Sequence, residues 1–81
     1  MTFLDMLAHF LVNRFPYWGA CGLSFHPAHN TLGLHCQTRH NRDAIIRDRA
    51  KLARLDIGLQ KIVVMHPDHP DFIIEMGSFV E

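Results

Sequence analysis

Two kinds of hydrophobic spacing alternate along the chain, a helical one and a two-residue one, and each occurs twice. Residues 3–15 (FLDMLAHFLVNRF) carry the first helical pattern. Thr2 suits the N-cap, Asp5 three residues on completes an Asp version of the capping box, and Pro16 closes the helix. At 100° per residue, Asp5, His9 and Asn13 form a narrow polar strip. Phe3, Leu4, Met6, Leu7, Phe10, Leu11 and Phe15 spread over roughly two thirds of the circumference, more than one sheet face covers. This helix is therefore expected either to be buried on two sides or to meet another chain.

Residues 20–26 and 31–37 alternate with period two around the turn Pro27-Ala28-His29-Asn30. A four-residue loop pairs Cys21, Leu23 and Phe25 with Cys36, Leu34 and Leu32 on one face. Gly22, Ser24 and His26 then oppose His35, Gly33 and Thr31 on the other, a clean apolar and polar separation. A second helix is predicted over 42–55, with Asn41 as N-cap, Asp43 in the first turn, and Ile45, Ile46, Ala50, Leu52 and Ala53 as its buried stripe. Arg14 and Arg49 fall inside the apolar stripes of their helices, so their guanidiniums must snorkel or pair with carboxylates. The last hairpin is expected over 61–66 and 71–76 around Pro67-Asp68-His69-Pro70. In that register Val63, Met65, Phe72, Ile74 and Met76 share one face, and Ile62, Val64 and Ile73 lie on the other with His66, Asp71 and Glu75.

Together these elements predict a single α+β domain over 1–81 with the order αββαββ: an antiparallel sheet of two hairpins, both helices on one face. A gap-free shift of 40 residues lays Arg14 on Arg54 and His26-Pro27-Ala28-His29 on His66-Pro67-Asp68-His69. The elements coincide too, which raises an internal duplication of 3–36 onto 43–76.

Composition adds three constraints. In 81 residues, 48% are apolar and only 20% charged, so the chain has the material for a core and none of the signature of disorder. Eight basic and eight acidic residues cancel, against the basic excess usual in nucleic-acid modules. Seven His residues are an unusual number for a chain of this length. No run reaches the roughly 20 apolar residues of a membrane helix, and Asp5 with no basic residue before Arg14 argues against a secretory signal. Two Cys without a dense spacing fit a reducing cytoplasm.

The candidate chemistry is limited. The repeated HPxH turns offer His26, His29, His66 and His69 to a transition metal such as zinc, or to haem, provided the two loops meet. Cys21 and Cys36, opposed on the apolar face, read as small hydrophobes more readily than as a disulfide. A Cys–His nucleophile is disfavoured because Cys36 faces the core, away from the His residues. Arg42, Arg47, Lys51 and Arg54 on the second helix offer an alternative, nucleic-acid binding through phosphate groups, but Asp43 and Asp48 interrupt the stretch. No enzyme, P-loop or dinucleotide motif is present. What remains is a surplus of apolar surface, which usually marks a protein contact. The expectation is a non-enzymatic adaptor, regulator or inhibitor, a homo-oligomer and in the simplest case a dimer, without cofactor. Its contacts would be made through Phe3, Met6, Phe10, Arg14, Arg47, Lys51 and Arg54.

Overall fold

The computed structural model describes residues 2–19 and 21–77, so the expected strand residue Ala20 and everything past Gly77 lie outside the described residues. Helix α1 spans Phe3–Arg14 and begins with the expected capping box. The Asp5 N–H donates to Thr2 Oγ1 at 3.1 Å and the Thr2 N–H to Asp5 Oδ2 at 3.3 Å. Pro16–Trp18 form a single 3-10 turn. Strands β1 (Cys21–His26) and β2 (Thr31–Cys36) follow, joined by a 3-10 turn at Pro27–His29. Asn30 supplies the left-handed residue that closes this connection. Next come α2 (Arg39–Arg47), α3 (Arg49–Ala53), β3 (Lys61–His66) and β4 (His69–Glu75).

The α+β class stands, but the sheet is mixed. Its four strands lie in the order β1-β2-β3-β4, antiparallel within each hairpin and parallel between β2 and β3. The physical reason is the connection. After Cys36 the chain returns along the sheet as α2 and α3 before Lys61 starts β3, and a helical crossover delivers the next strand parallel to the last. One hydrophobic cluster gathers Leu7 and Leu11 of α1, Phe15 and Trp18, Ala44 and Ile45 of α2, Leu52 and Ala53 of α3, and Leu32, Leu34, Ile62, Val64 and Ile74 of the sheet. The helices therefore share one face of the sheet.

The first hairpin has the expected register, Cys21 opposite Cys36, Leu23 opposite Leu34 and Phe25 opposite Leu32. The second does not. His66 pairs with His69 around Pro67 and Asp68, and a bulge between Val64 and His66 sets Val64 opposite Phe72 and Ile62 opposite Ile74. The tighter turn and the bulge together slip the register by one residue, which exchanges the faces of β3. Ile62 and Val64 are fully buried with Ile74, while Val63 and Met65 are half-buried and Ile73 is exposed.

The second helix also departs from expectation. Thr38, not Asn41, is its N-cap, and Asn41 is the N3 partner that completes the capping box. The helix breaks at Asp48, so the wheel drawn for one continuous helix loses its phase there. That is why Arg49 lies outside the stripe, exposed and donating to the Ile46 carbonyl at 2.9 Å. Arg14 is exposed as well. The broken helix and the bulged second hairpin have no counterparts in the first half, and the repeat is one of element order alone. No helix among the described residues is long and apolar enough to cross a membrane.

Candidate functional site

Helix α1 buries only Leu7 and Leu11, with Leu4 packed at the edge of the core. The remaining large apolar residues face out: Phe3 is 45% exposed, Met6 57% and Phe10 38%. At 100° per residue these three fall within about 60° of one another, so they form one stripe. Its N-terminal end is tied to the sheet by Phe3, whose ring meets that of Phe25 edge-on at a centroid distance of 5.1 Å. A 3.6-residue pattern identifies this stripe in the sequence, and the structure leaves it outside the fold.

At the other end of α1, Phe15 stacks on Trp18 at 4.3 Å with the rings 3° from parallel. Trp18 Nε1 donates to Asp48 Oδ2 at 3.0 Å, and the Tyr17 hydroxyl donates to the same oxygen. Asn41 Nδ2 donates to the Trp18 carbonyl, which fixes the 3-10 turn on the start of α2. Gly19 sits beside this amide with φ +82°, and a Cβ there would lie 2.7 Å from Asn41 Nδ2. Burial pushes the Asp48 carboxyl up, but the hydrogen bonds from Tyr17 and Trp18, with Lys51 and Arg47 nearby, outweigh it and hold Asp48 below its ordinary pKa. Tyr17 is raised in turn, chiefly by the hydrogen bond to Asp48. The sequence reading missed this network. Its signal was an acid, Asp48, inside a helical pattern together with two hydrogen-bonding aromatics next to a proline.

The network absorbs much of the basic stretch. Arg47 lies 6.0 Å from the Tyr17 ring centroid, and Lys51 Nζ stands 4.0 Å from Asp48 Oδ1. Arg42 is largely buried, with Nε enclosed and unpaired, and its Nη1 lies 3.8 Å from Asp43. Arg39 also engages Asp43, at 3.6 Å. Such surface pairs contribute tenths of a kcal/mol, but they interleave the charges. Arg42, Arg47, Lys51 and Arg54 therefore do not form one uniformly basic face.

The four HPxH histidines are not brought together. Because β2 and β3 are parallel, the turn before Thr31 and the turn after His66 lie at opposite ends of the sheet. The rings of His66 and His69 are 5.0 Å apart, and His66 Nδ1 accepts from the Asp68 N–H at 3.1 Å. Two imidazoles leave a tetrahedral ion half-coordinated. No group of three or more His, Cys, Asp or Glu placed to hold a metal occurs among the described residues.

On the helix-free face of the sheet, Ser24 Oγ and His35 Nε2 are 2.9 Å apart. Gly33 makes room for them, since a Cβ there would come within 2.6 Å of Ser24 Oγ and 2.7 Å of Met65 Cε. A serine beside an imidazole is one part of an acyl-transfer nucleophile, which also needs an orienting group and an oxyanion site. The described hydrogen bonds of His35 end at Ser24. Cys21 and Cys36 are free thiols facing the core. Burial pushes Cys36 up to about 11 and raises Cys21 as well, which leaves little thiolate for nucleophilic or redox work near neutral pH.

Comparison with known protein families, with curated proteins and with solved structures found no match. The reading of function rests on the surface itself.

Proposed function

We propose that this chain is a small non-enzymatic protein-binding adaptor, regulator or inhibitor that works as a homo-oligomer in a reducing, cytoplasmic setting. The observation that carries the reading is the outward stripe of Phe3, Met6 and Phe10 on α1. Aromatic and Met side chains dominate the energetics of protein interfaces, and neighbours spaced along one helix face supply the anchors of a helix-in-groove contact. Arg14 follows the stripe one turn on, and Arg47, Lys51 and Arg54 are exposed on and just after α2 and α3. The zero net charge fits contact with a protein better than with a polyanion.

The test is a comparison of untagged wild-type protein with the double variant Met6→Lys, Phe10→Lys. Both positions are exposed, so the fold should survive. The wild type is expected to be oligomeric and to retain a partner from a lysate that the variant releases. A monomer that retains nothing would sink the reading.

A second reading is favoured by one observation, the 5.0 Å separation of the His66 and His69 rings. It is a transition metal such as zinc held at that turn, with further ligands from a partner. It requires stoichiometric metal that His66→Ala, His69→Ala removes; metal at background in the wild type rejects it.

A further inference from the structure

We infer that the second copy in the homo-oligomer joins along strand β1, pairing β1 with β1 about a two-fold axis to make one eight-stranded sheet. This rests on the homo-oligomer reading above and gives it a surface on a different side of α1 from Met6 and Phe10, with Phe3 of the stripe reaching β1 at Phe25. The sheet has two edges, β1 and β4. An edge strand presents a row of unpaired N–H and C=O groups whose natural complement is another strand, and proteins that stay single blunt such edges with charge, proline or bulges. β4 is blunted by both proline and charge: Pro70, Asp71 and Glu75 lie on it. β1 reads Cys-Gly-Leu-Ser-Phe-His, with no proline, no Asp, Glu, Lys or Arg, and an unbroken register against β2. Among the described residues no loop or turn forms a backbone hydrogen bond to it.

The core is also incomplete on this side. The helix-facing residues of β2 and β3, Leu32, Leu34, Ile62 and Val64, are fully buried, whereas Cys21, Leu23 and Phe25 of β1 are only half-buried. A shallow depression opens between α1 and β1, lined among others by Ala8, Leu11, Val12, Cys21 and Leu23, and Val12 beside it is 63% exposed. On the α1 wheel Val12 lies at least 120° from Phe3, Met6 and Phe10, with the polar strip of Asp5, His9 and Asn13 between them.

The occupant follows from the chemistry. The depression and the strand carry no charged side chain, so a partner charge buried here would go uncompensated, while a like apolar surface loses nothing. A six-residue edge runs about 20 Å. A two-fold contact uses the same patch on both copies. For both copies to keep their helices on one side, residues of like face must oppose each other, so the axis passes through Leu23 or Ser24. The Val12 faces of the two α1 helices then meet across it.

Amide hydrogen exchange on the wild type, followed through a dilution series, reads the edge directly, and Val12→Lys tests the helix contact without touching the monomer core. The expected result is a dimer in which the outward β1 amides are protected and lose protection on dilution, while β4 is unaffected. Val12→Lys is expected to weaken the dimer at least roughly 30-fold, because like charges meet across the axis. A dimer whose β1 amides exchange freely, or one indifferent to Val12→Lys, overturns this interface and leaves the homo-oligomer reading standing. A monomer at every concentration overturns the interface as well, and the protein-binding reading then stands or falls on partner capture by Phe3, Met6 and Phe10.

Discussion

Asp48 keeps its charge in a buried position because Tyr17, Trp18 and Lys51 surround it with donors. Its pKa is held below the ordinary 3.8. The stabilisation is therefore complete above that value and is lost as pH falls through the lower folded pKa. Asp48→Asn should cost about 1–3 kcal/mol at pH 7, since the Tyr17 and Trp18 donors keep only a neutral acceptor. Denaturant unfolding from pH 7 to pH 2 checks both effects: the wild type loses stability on its acid limb, and the variant's limb is flatter. Equal stability of the two proteins at pH 7 would contradict the network's role. Cys36, pushed up to about 11 by burial, should react with a thiol reagent at pH 8 on the order of 100-fold more slowly than free cysteine, because so little of it is thiolate. Timed alkylation with peptide mapping reads this, and fast modification of the folded protein would show the site to be open. At this scale the sequence was a fair guide to which residues face the core and a poor one to which polar groups find each other. Thr2 and Asp5 lie three residues apart and could be paired on paper, whereas Trp18 and Asp48 meet only because the chain turns back on itself.

Among the elements, the two hairpins show where sequence patterning ends. In the first, a four-residue connection with Asn30 in the left-handed region leaves alternation intact, and the register follows from the spacing. In the second, Pro67 and Asp68 alone make the turn, and the Val64/His66 bulge absorbs a residue. With Ile62, Val63, Val64, Ile73 and Ile74 apolar on both parities, hydrophobicity could not choose between the registers. The observed register makes a sharp prediction for two isoleucines that the sequence reading placed on one face. Ile62→Ala should destabilise by about 2–5 kcal/mol, as for a buried core residue, and Ile73→Ala by no more than about 0.5 kcal/mol, as for an exposed site. Similar losses in chemical denaturation would contradict the register. The break at Asp48 and the parallel β2–β3 pairing were illegible for a related reason: periodicity tells which face of an element is apolar, but not which neighbour it lies against.

At the scale of the whole molecule, we propose that the chain works by association. The core closes over β2 and β3 and stays open along β1, and α1 carries apolar surface on two sides of its buried Leu7 and Leu11. The breadth of the apolar arc on α1 was visible in the sequence. Its division into an outward stripe of Phe3, Met6 and Phe10 and a β1-side face at Val12 was not, because that depends on where the helix sits over the sheet. A small domain that leaves this much apolar surface outside gains stability by burying it against another chain, and its apparent stability then rises with its concentration. Sedimentation velocity on untagged protein, from the lowest detectable concentration upward, tests this most directly. The expected result is a concentration-dependent shift to twice the 9.4 kDa chain mass, abolished by Val12→Lys and retained in Met6→Lys, Phe10→Lys. A single 9.4 kDa species at every concentration would contradict self-association.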